Sequence, residues 1–124
     1  MNILVTGASK GIGNAIAHEL QNIGEVFVTG RNEKALIECN AKGFCICDLS
    51  KDINILAKFI EENDIDVLVN NAGEYIYSDL DKMNIKDIQR LYQTNLIAPA
   101  FLASKVIPNM KNKKWGRIIN IGSI

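Results

Sequence analysis

The chain has a single histidine, only three cysteines and no net charge, its 14 basic residues matching 14 acidic ones. With His18 alone, a histidine-based triad or a histidine metal cluster has little to build on. The balanced charge argues against a nucleic-acid partner held by electrostatics. Cys39, Cys45 and Cys47 have neither CxxC spacing nor a zinc pattern, and read as buried, reduced thiols of a cytoplasmic protein. The longest apolar stretches, such as residues 97–103, are far too short and interrupted to span a bilayer, so no membrane partner is expected. Met1 runs straight into a strand pattern with no basic-then-apolar leader, so no secretory signal is visible.

What is present is an ordinary globular composition, 48% apolar and 23% charged over 124 residues. That length makes one domain, 1–124, or part of one, and hides roughly two-thirds of the unfolded surface. Strand patterns fall at residues 2–5, 26–29, 44–47, 66–69 and 117–121. Helical spacing of apolar residues marks 12–23, 33–39, 53–62, 84–92 and 94–110, with Gly24 as a stop after the first. Residues 74–81 read as a polar and aromatic loop, and 111–114 as a basic turn. Nearly all-apolar strands alternating with helices predict an α/β fold with a parallel sheet covered on both faces. Right-handed crossovers make that sheet doubly wound, with ligand at the carboxyl ends of its strands.

The most informative segment follows the first strand: Thr6-Gly7-Ala8-Ser9-Lys10-Gly11-Ile12-Gly13. Gly7 suits backbone angles closed to other residues, and a missing Cβ at Gly11 or Gly13 lets backbone or ligand approach. The helix that follows aims free N–H groups and a positive dipole end at an anion. The GxxxGxG spacing alone is moderately specific. In register with strand and helix, it predicts phosphate binding.

Three further segments, Asn70-Asn71-Ala72-Gly73, Thr94-Asn95-Leu96 and Ile119-Asn120-Ile121-Gly122-Ser123, stand in order behind it. Together the four resemble successive signatures of the short-chain dehydrogenase/reductase family, and the resemblance covers the whole chain. It implies a Rossmann-like sheet in strand order 3-2-1-4-5, truncated before the carboxyl-terminal strands. It also implies hydride transfer between a nicotinamide cofactor and a small carbonyl or alcohol substrate. Cofactor contacts are then expected from Gly7, Ser9, Lys10, Gly11, Ile12, Gly13, Arg31, Asp48, Leu49, Asn71, Ala72 and Gly73. In the family the first Asn of the NNAG turn steadies the sheet, and an Asp at the position of Asp48 accepts from the adenine amino group. A helix N-cap or turn role for Asp48 stands as the competing reading. The resemblance makes Asn95 and Ser123 catalytic. Ser123 would hydrogen-bond the substrate oxygen, while Asn95 would fix a kink in the long helix and help hold a water. As isolated residues they read as a helix start and a strand-end turn.

Cofactor choice has a physical signal. Enzymes that use NAD commonly end the second strand on a carboxylate that binds both ribose hydroxyls. Here the strand ends Val28-Thr29-Gly30-Arg31-Asn32, with glycine where the acid would be and a guanidinium beside it. Lys10 adds a second cation, so NADP(H) is expected over NAD(H).

The family's Tyr and Lys, four residues apart on a helix after the serine strand, have no match. Tyr75, Tyr77 and Tyr92 are followed four residues later by Asp79, Asp81 and Leu96. Tyr75 and Tyr77 read as loop residues near a substrate mouth or as surface aromatics. Ser123 stands one residue from the end, and the expectation is the amino-terminal part of a longer reductase, inactive by itself and homo-oligomeric when whole. Two alternatives stand beside it: a non-catalytic dinucleotide-binding module, and a nucleotide-sugar epimerase of the extended relatives, which often carry GxxGxxG and lack the NNAG turn.

Overall fold

The computed structural model describes residues 1–123. Five strands, β1 (Asn2–Thr6), β2 (Glu25–Gly30), β3 (Gly43–Ile46), β4 (Val67–Asn70) and β5 (Arg117–Asn120), form one sheet in the order β3-β2-β1-β4-β5. Every pairing is parallel, with Ile3 opposite Val26 on one side and Val67 on the other. The expected α/β fold and strand order are what the chain adopts.

Five α-helices accompany the sheet: α1 (Gly11–Leu20), α2 (Glu33–Glu38), α3 (Ile53–Glu62), α4 (Ile85–Tyr92) and α5 (Ala98–Lys113). Successive side chains of a strand point to opposite faces, so an all-apolar strand feeds two cores. Ile3 and Val5 of β1 join Ala17 of α1 and Leu36 of α2 on one face. Leu4 joins Leu56 and Ile60 of α3 and Leu102 and Val106 of α5 on the other. Leu4, Val5, Val28, Leu56 and Leu68 are fully enclosed. Truncating any one of the leucines to alanine typically costs about 2–5 kcal/mol.

Coverage stops short of the whole sheet. All four residues of β5 are exposed, although Ile118 and Ile119 are as apolar as anything in β4. Apolar stripes likewise overstate packing on the helices: Ile12 and Ile23 around α1, Ile55 on α3, and Leu96 and Ile97 before α5 all face outward.

The first helix ends at Leu20, three residues short of the expected 23, and two boundaries around α5 also differ from expectation. Residues 111–113 are the last turn of α5 and not a separate basic turn. Lys114 takes the left-handed conformation (φ 57°), and the Trp115 N–H closes the helix on the Met110 carbonyl at 3.0 Å. The helix pattern from 94 to 110 opens as a π-helical turn, Gln93–Ile97, joining α4 to α5. Such turns carry one extra residue and reorient the side chains on them.

Candidate functional site

The carboxyl ends of β1, β2, β3 and β4 surround a cleft of about 990 Å³. The glycine loop forms its floor. Gly7 has φ +66°, and a Cβ there would come within 2.8 Å of the Ala72 backbone. Gly13 is a matter of close approach: a Cβ would collide with the Gly7 carbonyl and the Asn71 amide. Gly11 (φ +59°) has open space around it and answers only to its backbone angle.

The loop is pinned from three sides. The Ala8 N–H donates to the Thr29 carbonyl at 3.1 Å, tying the loop to the end of β2. The Ala8 carbonyl accepts from Asn14 Nδ2 at 3.2 Å and from the Cys39 thiol at 3.4 Å. Asn71 Nδ2 donates to the carbonyls of Thr6 and Gly7 at 3.1 and 3.2 Å. Thr6 completes the junction, its hydroxyl oxygen accepting the Asn71 and Ala72 N–H groups at 3.1 and 3.0 Å. Thr6 stands in the motif, yet nothing in the spacing marks it as the bolt between loop and turn.

The N-terminus of α1 is the chemically open point of the cleft. Lys10 is its N-cap, no side chain caps it, and no acid stands in its first turn. By contrast α2 and α4 are capped by Asn32 and Asn84, whose side chains accept from Ala35 and Asp87 N–H groups at 3.0 and 2.9 Å. Free N–H groups and the dipole at α1 therefore face the cleft without a competing internal anion.

The other expected residues distribute as follows. Ser9, Lys10, Arg31, Asp48, Leu49, Asn71, Ala72 and Gly73 line the cleft with Gly7 and Gly11. Ile12 does not; it is 66% exposed beside it. Gly13 lies beneath the loop as its packing contact. Asp48 holds a local turn, its Oδ1 accepting from the Ser50 N–H at 2.9 Å and hydroxyl at 2.6 Å. Partial burial works against the Asp48 carboxylate. The two Ser50 bonds, with Arg31 and Lys51 nearby, outweigh that and hold its pKa below the ordinary value. Burial pushes the thiols up, Cys47 to about 12 and Cys45 to about 11, with the Asp52 charge adding to it, so both are neutral.

Asn95 sits in the π-helical turn and grips the residue after the NNAG turn. Its Oδ1 accepts from the Glu74 N–H at 2.7 Å and its Nδ2 donates to the Glu74 carbonyl at 2.8 Å. The Glu74 carboxylate pairs with Arg90 of α4 at 3.0 Å, an ion pair that no motif announced. On the far side, Asn70 Nδ2 donates to Asn120 Oδ1 at 2.9 Å, and the Ile121 N–H donates to the Asn70 carbonyl at 3.0 Å. Ser123 follows this junction past β5 and is exposed. Tyr75 and Tyr77 are exposed loop aromatics with ring centroids 6.4 Å apart.

Comparison with known proteins gives a consistent picture. Residues 1–124 match the family model described as short chain dehydrogenase. A 3-oxoacyl-[acyl-carrier-protein] reductase of Haemophilus influenzae is 39% identical over 133 residues, covering 98% of this chain and 54% of the relative. The corresponding Escherichia coli enzyme is 36% identical over 131 residues, again covering 98% of this chain and 54% of its own. Among solved structures, a short-chain dehydrogenase from Sphingobium yanoikuyae in complex with NADPH superposes with TM-score 0.92 at 26% identity, over 99% of this chain and 53% of that one. The chain thus spans about half the length of the curated relatives it matches. By motif, sheet order and family match, it belongs to the short-chain dehydrogenase family.

Proposed function

We propose that the cleft binds NADP(H), and that the activity it serves is hydride transfer between the nicotinamide and a carbonyl or alcohol substrate. The observation that carries this reading is the end of β2. Gly30 stands where a ribose-binding acid would, and Arg31 and Lys10 both line the same cleft. Cations there favour a 2′-phosphate, which a carboxylate would repel. The unpartnered hydroxyls fit a polar ligand as well: among the described residues, Ser9 Oγ, Thr29 Oγ1 and Thr94 Oγ1 are buried without a hydrogen-bond partner, on residues that line the cleft.

The cofactor supplies the hydride; the rest falls to side chains. The uncapped α1 N-terminus and the backbone of the glycine loop receive the pyrophosphate. Asp48 Oδ1 is engaged by Ser50, which leaves its second oxygen for the adenine amino group. Asn71, Ala72, Gly73 and Leu49 form the wall beside the adenosine half. Asn95, gripping Glu74, holds that wall in place, and Ser123 offers a hydroxyl to the substrate oxygen. A tyrosine activated by a lysine four residues on is the family's proton donor, and none of the three tyrosines here has that partner. Lacking such a group removes a factor typically of about 10²–10⁴ in rate. The family reading therefore assigns the proton donor to residues other than these 124.

That missing pair favours a second reading, a non-catalytic dinucleotide-binding module of the same cytoplasmic, small-molecule kind. Both readings need the cofactor site, and one assay pair tests that site and the assignment of the proton donor. Saturable enhancement of NADPH emission by the chain supports the cofactor site, and a flat titration with a folded far-UV spectrum rejects it. Steady oxidation of NADPH by a ketone with this chain alone would contradict the assignment of the proton donor elsewhere.

A further inference from the structure

The acids that line the cleft are divided between its two ends. Glu33 and Asp48 follow β2 and β3, on the side of Arg31, whereas Glu74 follows β4 at the opposite border. The sheet order gives these ends different tasks. With a 2′-phosphate at Arg31 and a pyrophosphate at the start of α1, the half of the dinucleotide beyond the pyrophosphate is left the β4 end. Asn71 turns back to the glycine loop through its bonds to the Thr6 and Gly7 carbonyls, and so belongs to the wall beside the adenosine. Glu74 is drawn the other way. Asn95 grips its peptide on both sides, and its carboxylate lies 3.0 Å from Arg90 Nε.

The two partners of this ion pair are unequally placed. The Glu74 side chain is 19% exposed and its residue lines the cleft; Arg90 is 45% exposed and is not part of that lining. A ligand in the cleft therefore meets the carboxylate before the guanidinium. Charge at this end has a chemical meaning that charge at the other end lacks. The oxidised nicotinamide ring carries a positive charge and the reduced ring none, while adenosine and phosphates are the same in both forms. Lys10 and Arg31 act on what the two forms share. A carboxylate at the β4 end acts on what separates them.

We propose that Glu74 is a specificity-determining residue for the redox state of the cofactor: its carboxylate favours the oxidised, cationic nicotinamide ring over the reduced, neutral one, and the ion pair with Arg90 limits that preference. The proposal deepens, and rests on, the reading of the cleft as an NADP site. Asn95 holds Glu74 by its peptide N–H and carbonyl, so the side-chain charge can be changed without releasing the loop.

The test titrates the chain with NADPH by emission and with NADP⁺ by displacement of bound NADPH. The readout is the ratio of the two dissociation constants, because damage to the fold weakens both forms together and leaves their ratio alone. Glu74→Gln is expected to move the ratio about threefold or more toward NADPH, since it leaves the Arg90 charge unopposed. Arg90→Gln is expected to move it about threefold or more toward NADP⁺, and the double variant to return close to wild type. Both shifts should shrink at high salt, as a partly exposed charge is screened. An unmoved ratio in the two single variants would overturn the proposal, and so would shifts of the same sign. A wild-type chain that binds neither form would overturn the cofactor reading and this proposal with it. Binding of both forms with a ratio indifferent to either substitution would overturn the redox preference alone.

Discussion

The two flanks of β4 are built differently. On the β1 side, loop, strand and turn are locked by mutual bonds: Thr6 receives two N–H groups, Asn71 reaches two carbonyls, and Gly7 and Gly13 sit in contact with backbone. On the β5 side, a strand of equally apolar residues is exposed along its length, with Ile119 at 45%. Only the Asn70–Asn120 and Asn70–Ile121 bonds beyond the ladder tie its end to the NNAG turn among the interactions described. The β1 side carries its own scaffold, so it can be preorganised before any ligand arrives. The β5 side has a strand in register whose four residues all stay exposed. Apolar composition alone did not secure burial; a covering element is needed as well.

The contrast predicts where substitutions hurt. Gly13→Ala should be the most damaging, because the added methyl meets a carbonyl and an amide fixed by their own bonds. We expect a stability loss of about 2–4 kcal/mol, read by urea denaturation, with nucleotide binding lost alongside it. A neutral result would show the loop to be looser than its bonding implies.

Asp66, 6% exposed at the start of β4, stitches the two sides together. It accepts from the Asn2 N–H at 2.8 Å and from Lys113 at 2.6 Å, and its carbonyl receives the Arg117 N–H at 3.1 Å. Burial opposes its charge, but Lys113, the Asn2 N–H and Asn109 outweigh that and lower its pKa. A folded-state pKa below the unfolded one contributes stability that is complete above the unfolded value and lost as pH falls toward the folded one. The chain should therefore lose this contribution on acidification below about pH 4. Asp66→Asn should cost about 1–3 kcal/mol at pH 7 and flatten that acid limb; an unchanged limb would remove Asp66 from the account.

Thr6→Val leaves two N–H groups of the NNAG turn without their acceptor. A loss of about 1–2 kcal/mol is expected, with weakened nucleotide binding, since the wall of the cleft is what moves. The smallest effect belongs to β5. Ile119→Ser should change stability by less than about 0.5 kcal/mol and raise solubility. A loss comparable to that of a core leucine would mean that β5 is covered after all.

How much of this was legible beforehand follows the same divide. The alternation of strands with helices and the glycine loop could be read because an apolar period, a glycine at each crowded point and an open helix start are all local patterns, while the strand order came from the family resemblance. The Thr6 bolt, the Asn95 grip on Glu74 and the Glu74–Arg90 pair join residues far apart in the chain, and composition holds no trace of such contacts. The π-helical turn at Gln93–Ile97 escaped for a related reason: helical periodicity around it continues without a visible break. Periodicity also misjudged Ile12 and Ile55, since it names an apolar residue without saying whether anything faces it.

The central claim is that cations at the end of β2 and in the glycine loop choose the cofactor. It is tested most directly by the affinities of NADPH and NADH for the chain and for its Lys10→Ala/Arg31→Asp variant. The wild-type chain should bind NADPH at least tenfold more tightly than NADH. The variant should lose about 10–100-fold for NADPH, as expected when charge-assisted bonds to a phosphate are removed, with far less change for NADH. An unaltered NADPH-to-NADH ratio in the variant would contradict the account.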